Sequence, residues 1–214
     1  MIEAYSISHL AGLTSLFSVG VCARYQATQK ESHLKAVKRI IRYVHGTAEY
    51  GIWYSKDSNS HLAGYSDTDW EGNIDDRKST SGECFYLSNN LVTWYSKKQI
   101  SISLSTAEAE YIAAESCCAQ LLWMKQMLED YGLQQGLLTI FCDNKSAIYI
   151  SKNPVQHSRT KHIDLRHHFI RDLVENKNSL LLIMLQTVKA IMDIFTKPLD
   201  ATRFEKLRGE IGLC

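Results

Sequence analysis

Proline is scarce. Pro154 and Pro198 are the only two in 214 residues, which excludes a proline-rich spacer or linker. Neither sign of charge dominates either. Twenty-four Lys and Arg against 23 Asp and Glu leave a net charge of +1, so binding to nucleic acid would have to rest on local patches. There is no C-x-x-C pair. The six cysteines, Cys22, Cys84, Cys117, Cys118, Cys142 and Cys214, fall mostly in apolar runs and read as reduced core thiols. His157, His162, His167 and His168 match no common zinc spacing and have no nearby cysteine. Long apolar runs are missing too. Leu180–Leu185 is far too short for a membrane span. Ala4–Ala23 carries no Asp, Glu, Lys or Arg, but Glu3 stands where a signal peptide is positive, and His9 and several serines interrupt it. The expectation is an intracellular protein of cytoplasm or nucleus, without membrane contact, in which this stretch is a partly buried helix or a poorly formed end.

What is present is ordinary globular composition, 45% hydrophobic and 22% charged, enough to bury a core. Leu34, Val37, Ile40, Ile41 and Val44 recur at helical spacing over Glu31–Tyr43, opposite Lys35, Lys38, Arg39 and Arg42, and Gly46 ends the pattern. Tyr50–Ser55 reads as a strand, and polar Lys56–Ser60 marks a boundary. His61–Ser66 reads as a strand, Gly72–Ser81 as a charged loop. Glu83–Leu87 and Leu91–Ser96 form a hairpin around Ser88-Asn89-Asn90. Ser105–Tyr131 is the strongest helix, opened by the capping box Ser105-Thr106-Ala107-Glu108. Then follow strand Leu138–Cys142, helix Asn144–Ser151 stopped by Asn153-Pro154, helix Ile163–Asn176, strand Ser179–Gln186, and short helices Ile191–Thr196 and Thr202–Ile211. A three-strand meander followed by alternating strands and helices predicts a mixed α/β sheet.

Four acidic residues sit at the ends of these elements. Asp67 closes the first strand and could face a site or water. Glu110 shares a helix face with Ala114, Cys117 and Leu121, which must pack on the sheet, whereas Glu108 is accounted for by the capping box. An acid on the buried side is unusual unless it is paired or holds metal. Asp143 follows an apolar strand and would also serve as a helix N-cap. Asp193 stands among apolar residues in Ala190–Phe195 and could be a half-exposed helix position. None is diagnostic alone.

Together several segments resemble the ribonuclease H end of the Pol polyprotein of copia-type LTR retrotransposons. They are Gly64–Asp67 (GYSD), Asp76–Gly82 (DRKSTSG), Ser96–Gln99 (SKKQ), Leu104–Tyr111 (LSTAEAEY), Asp143–Ala147 (DNKSA), Asn153–Val155 (NPV), His157–Asp164 (HSRTKHID) and Phe195–Leu199 (FTKPL), in matching order and spacing. Phe17–Gly46 looks like the tail of the reverse transcriptase that precedes that domain. The resemblance implies a ribonuclease H-like five-stranded mixed sheet with flanking helices, over residues 59–200. A short helical and strand remnant of reverse transcriptase would precede it at 1–58, and a helical tail would follow at 201–214.

The resemblance implies Asp67, Glu110, Asp143 and Asp193 as catalytic residues and as ligands of two Mg²⁺ ions, with Mn²⁺ as a substitute. The implied reaction is endonucleolytic hydrolysis of the RNA strand of an RNA–DNA hybrid. Candidates for contacts to the hybrid are Arg77, Lys78, Ser79, Thr80, Ser81, Lys97, Lys98, Gln99, Asn144, Arg159 and Lys161: cations for phosphates, small polar groups for 2′-hydroxyls. The reverse transcriptase region of a related Pol protein is a second expected partner. There are departures from the family. No Tyr-x-Asp-Asp motif occurs, so polymerase activity is not expected. Met1–Leu16 is unlike the usual sequence, as in a truncated or rearranged copy. Thr187–Met192 lacks the usual Gln and Ala, and no His lies between Gln186 and Asp193. The alternative reading is a non-catalytic fragment that binds nucleic acid or a polymerase.

Overall fold

The computed structural model describes residues 7–52, 54–55, 60–152, 169–175, 180–184 and 188–212. In chain order the elements are α1 (Ile7–Ala23), α2 (Glu31–Gly46), β1 (Leu62–Asp69), β2 (Thr80–Leu87), β3 (Asn90–Lys98), α3 (Thr106–Asp130), β4 (Leu138–Cys142), α4 (Lys145–Lys152), α5 (Phe169–Glu175), β5 (Leu180–Met184), α6 (Val188–Thr196) and α7 (Ala201–Glu210). The five strands form one sheet in the order β3-β2-β1-β4-β5. The β1–β2 and β2–β3 pairs are antiparallel, and the β1–β4 and β4–β5 pairs are parallel. This is the mixed sheet that the element order predicts.

Side chains alternate across the strands, and each face buries its own core. One face, under α3, packs Leu62, Phe85, Leu138 and Ile140 against Tyr111, Cys117, Cys118 and Leu121. The other packs Cys84 and Leu91 against Met192, Ile194 and Phe195 of α6 and Leu207 of α7, with Ile211 just beyond it. The five cysteines within the described residues are free thiols.

Some local expectations change. Tyr50–Ser55 is not a strand; among its described residues there is only an isolated bridge at Ile52. Lys97 and Lys98 belong to β3 rather than to a following loop. Their polarity misleads because β3 is an edge strand, where charged residues discourage pairing with other chains. Helix α2 forms as expected but buries none of its residues. Its apolar stripe, Leu34, Val37, Ile41 and Val44, is exposed. Arg24 and Tyr25, after α1, tie this region to the sheet end by donating to Thr80 Oγ1 (3.0 Å) and Asp75 Oδ2 (2.7 Å). Among the described residues, no helix is long and apolar enough to cross a membrane.

One buried acid lies in the α3-side core, apart from the four candidates. Glu83 on β2 is fully buried. The Tyr95 hydroxyl donates to its Oε2, while its Oε1 has no hydrogen-bond partner among the described residues. Burial pushes its carboxyl up to about 8, against the hydrogen bonds from Tyr95 and Ser116 that lower it. A carboxyl raised above its unfolded value of 4.5 is bound as the protonated form by the fold. The stability it contributes is full below that value and is lost as pH rises through the folded value. Glu83→Gln keeps the shape and stays neutral. Between about pH 5 and about pH 8.5 the variant is expected to lose less stability than the parent by a few kcal/mol, at roughly 1.4 kcal/mol per pH unit. Urea melts at both pH values measure this, and parallel pH slopes would show Glu83 ionised throughout.

Candidate active site

The polar site forms at the carboxyl ends of the two central parallel strands, where α/β sheets commonly bind ligands. Asp67 lies near the end of β1, and Asp143 follows β4 directly. Alternation decides which helix each β1 residue meets. A Cβ at Gly64 would meet Cys117 and Leu121 of α3, and Thr68, on the same face, meets Glu110 of α3. Asp67 points to the other face, where α6 brings Asp193 and Thr196. The site therefore straddles the end of the sheet, fed by a helix on each side.

Helix α3 is aligned by its start. The Ser105 hydroxyl accepts from Glu108 N (3.2 Å), and Glu108 Oε2 accepts from Leu104 N (2.7 Å). The back-bond of the capping box thus reaches one residue upstream of the cap. Glu108 is used structurally, which leaves Glu110 for the site. Glu110 Oε1 accepts from both Thr68 N (3.1 Å) and Thr68 Oγ1 (3.0 Å). Its other oxygen faces the Cys142 thiol at 3.8 Å. Glu110, Cys142 and Asp143 bring ligand-type atoms within 4.8 Å of one another.

The N-cap reading of Asp143 does not hold. Asn144 takes that task, its Oδ1 accepting from Ser146 N (2.9 Å) and Ala147 N (3.1 Å). Asp143 is left facing the cluster. Asp67, 2% exposed, accepts from Thr196 Oγ1 (2.6 Å) and Lys197 Nζ (3.3 Å). Asp193, 3% exposed, accepts from Lys197 Nζ (2.7 Å) on one oxygen and from Arg203 on the other. It is not a half-exposed helix position.

Electrostatics follow from this crowding. Burial, then the charges of Asp67 and Asp143, raise the Glu110 carboxyl well above the usual range, against the hydrogen bonds from Thr68. Burial also raises Asp67, opposed by Lys197 and Thr196 and reinforced by Asp143 and Asp193. Burial, then Glu110, raises the Cys142 thiol, so it stays protonated and is a poor metal ligand. The four acidic side chains offer a mainly hard oxygen donor set. Such a set fits Mg²⁺ or Mn²⁺ rather than a thiophilic ion.

The hybrid-contact candidates divide into two kinds. Ser79, Thr80, Ser81 and Gln99 are buried and already bonded. Ser79 Oγ accepts from Glu71 N, and Thr80 accepts from Arg24. Gln99 donates to Ser81 Oγ and to Ala109 O of α3 (both 2.9 Å) and accepts from Ser103. These groups brace the site, and Asn144 caps α4. A buried, bonded side chain has little left to offer a ligand, whereas Asn144 is half-buried. Arg77, Lys78, Lys97 and Lys98 are at least partly exposed. Arg77 pairs with Glu71 and Lys98 with Asp76. The register rows Asp69–Thr80–Lys98 and Asp67–Gly82–Ser96 put this basic edge at the same end of the sheet as the carboxylates. Arg159 and Lys161 lie outside the described residues.

Sequence reasoning did not pick out Thr68, Cys142, Thr196, Lys197 or Arg203. For Lys197 a signal existed, since it stands four residues after Asp193 and so shares its helix face. For Arg203 there was none, because its approach depends on how α7 folds back.

A five-stranded mixed sheet with helices on both faces and acids converging at one end defines a ribonuclease H-like α/β protein. No protein-family model matches the chain. Over 196 residues it is 39% identical to the retrovirus-related Pol polyprotein from transposon TNT 1-94 of Nicotiana tabacum, covering 92% of this chain and 15% of that one. Over 201 residues it is 37% identical to the corresponding polyprotein from transposon RE1 of Arabidopsis thaliana, covering 92% and 13%. Over 92% of its length the chain is homologous to a segment of the retrovirus-related Pol polyproteins from copia-type transposons, and it spans about 15% or less of the length of these relatives. Among solved structures it is similar to the N-terminal RNase H domain of a Mycobacterium tuberculosis protein (8% identity, TM-score 0.46, 71% of this chain and 99% of that one). It is also similar to LC11-RNase H1 crystallised with an RNA/DNA hybrid (16%, TM-score 0.42, 60% and 87%).

Proposed function

We propose that the chain is the ribonuclease H segment of a copia-type Pol polyprotein, hydrolysing the RNA strand of RNA–DNA hybrids with divalent metal. The observation that carries this is the convergence of Asp67, Glu110, Asp143 and Asp193 from four separate elements at one sheet end. These four would hold a pair of Mg²⁺ ions, which supply an activated water and charge stabilisation at the scissile phosphate.

The chain's own residues do the rest. Thr68 holds Glu110 Oε1 through both its backbone N–H and its hydroxyl, and Thr196 orients Asp67. Gln99 fixes the first turn of α3 and hence the height of Glu110. Lys97, Lys98, Lys78 and Arg77 form a basic edge for phosphates. The ion pairs of Arg77 and Lys98 are on the surface and weak enough to exchange for a phosphate. Exposed Ile100, Ile102 and Leu104 follow β3 as an apolar ridge. The Trp70 indole, donating to Ser103 O at 3.2 Å, ties that loop to the end of β1. A ridge flanked by cations suits the wide, shallow minor groove of an A-like duplex, where sugars and 2′-hydroxyls are displayed.

The test is a hybrid labelled on each strand in turn, incubated with the protein and Mg²⁺ beside Asp143→Asn. The expected result is cleavage of the RNA strand alone, lost in the variant and with EDTA. A folded protein that binds the hybrid yet leaves both strands intact would instead establish the non-catalytic reading.

A further inference from the structure

Two cations lie among the carboxylates, and no step proposed above uses them. Lys197 Nζ bridges Asp67 (3.3 Å) and Asp193 (2.7 Å). Arg203, from α7, holds the remaining oxygen of Asp193. Both Asp193 oxygens are thus taken by side-chain cations, and one Asp67 oxygen is shared between Lys197 and Thr196. Asp67 and Asp193 are almost fully buried, whereas the Lys197 and Arg203 side chains are 27% and 52% exposed. The acids are therefore fixed in place, while the cations can withdraw into water.

We propose that Lys197 and Arg203 form an internal clamp that neutralises Asp67 and Asp193 in the metal-free protein and is displaced when a divalent ion enters. This rests on the metal-dependent reading above. A carboxylate oxygen directed at an ammonium or guanidinium is not free for a metal, so the two occupants are antagonists. Their antagonism is reciprocal. Whatever the clamp adds to metal-free stability, metal must overcome. Whatever metal gains, α7 loses at its contact with Asp193. Arg203 is accordingly a positioning residue that couples the docking of the C-terminal helix to occupancy of the site.

The reading is tested by titrating the metal-free protein with Mg²⁺ in a calorimeter and with Mn²⁺ by electron paramagnetic resonance, alongside thermal melts without metal. Lys197→Met and Arg203→Gln keep the aliphatic stems and remove the charge. Each is expected to bind metal more tightly, by roughly 5–150-fold, the usual span of coupling between two opposed interactions. Each should also melt lower without metal. Arg203→Lys should restore both properties in part. Lys206→Met removes a charge from the same helix that pairs with Glu210 instead, and it should leave affinity unchanged.

A residue of merely structural importance would weaken metal binding when replaced, which is the opposite sign. The clamp is overturned if the Lys197 and Arg203 variants bind metal no more tightly than the parent, or if Lys206→Met gains as much as they do. If the parent still cleaves hybrid in either case, the nuclease reading stands alone. If neither parent nor variants bind metal, both readings fall together.

Discussion

Glu110→Gln should abolish cleavage and, in the same protein, raise the stability of the metal-free fold. The two effects have one cause. Burial and the neighbouring Asp67 and Asp143 hold the Glu110 carboxyl above its ordinary value. The fold therefore favours the protonated form. The stability it contributes is present below the unfolded value and is lost as pH rises through the folded value. A glutamine is a permanent mimic of that protonated state. Its Oε1 can still accept from Thr68 N and Oγ1, so the side chain keeps its place. At neutral pH the gain should be about 1–3 kcal/mol, the usual penalty for a poorly compensated buried polar group. The loss of activity should be at least roughly 10²–10³-fold, as when one electrostatic group serving the transition state is removed. Chemical melts with EDTA and hybrid cleavage with Mg²⁺ measure the two sides. A variant that is both inactive and less stable would mean that Glu110 is ionised and well paired in the metal-free protein.

Gly82→Ala is expected to damage the site without touching a carboxylate. Gly82 lies directly across from Asp67 in the β1–β2 ladder, so the two present the same face of the sheet. A Cβ at Gly82 would stand 2.6 Å from Thr196 Cγ2 and 2.8 Å from Phe195 Cβ. Neither is the far end of a flexible chain, so α6 must move. That helix carries Asp193, and Thr196 also orients Asp67. Overpacking of this kind costs about 1–3 kcal/mol, or roughly 2–4 °C in Tm per kcal/mol for a chain of this size. A displacement of even ~1 Å at the site can cost ~10²-fold in rate. Gly64→Ala is the control. Its Cβ would meet Cys117 Sγ at 2.6 Å and Leu121 Cδ1 at 2.9 Å, in the α3-side core. It should lower stability comparably while sparing more of the activity. Equal losses of activity in the two variants would show that general loosening, rather than the seating of α6, is responsible.

The strong periodicities were legible. Helix α3 with its Ser105 cap and strand β4 follow from spacing. The burial of Glu110 followed as well, because it shares a stripe with Ala114, Cys117 and Leu121. Where polarity has a reason other than solvent exposure, the pattern misled. The end of β1 is polar because Asp67 and Thr68 build the site, and the end of β3 is polar because it is a sheet edge. Asp143 and Asn144 are both good caps, and local chemistry could not say which would turn inward. The Lys197–Arg203 clamp was out of reach of local pattern. Arg203 approaches Asp193 only because Leu207 and Ile211 anchor α7 against Met192, Ile194 and Phe195, a contact between segments that spacing does not encode.

That anchoring changes how damaged genomic copies of such an element should be judged. A premature stop codon just after Leu199 would leave all four acidic codons readable and every quoted motif intact. Yet it would strip Leu207 and Ile211 from the apolar layer behind α6. A copy with a complete acidic quartet can thus be inert through loss of the codons from Asp200 onward, and an inventory of the four acidic codons would count it among the living.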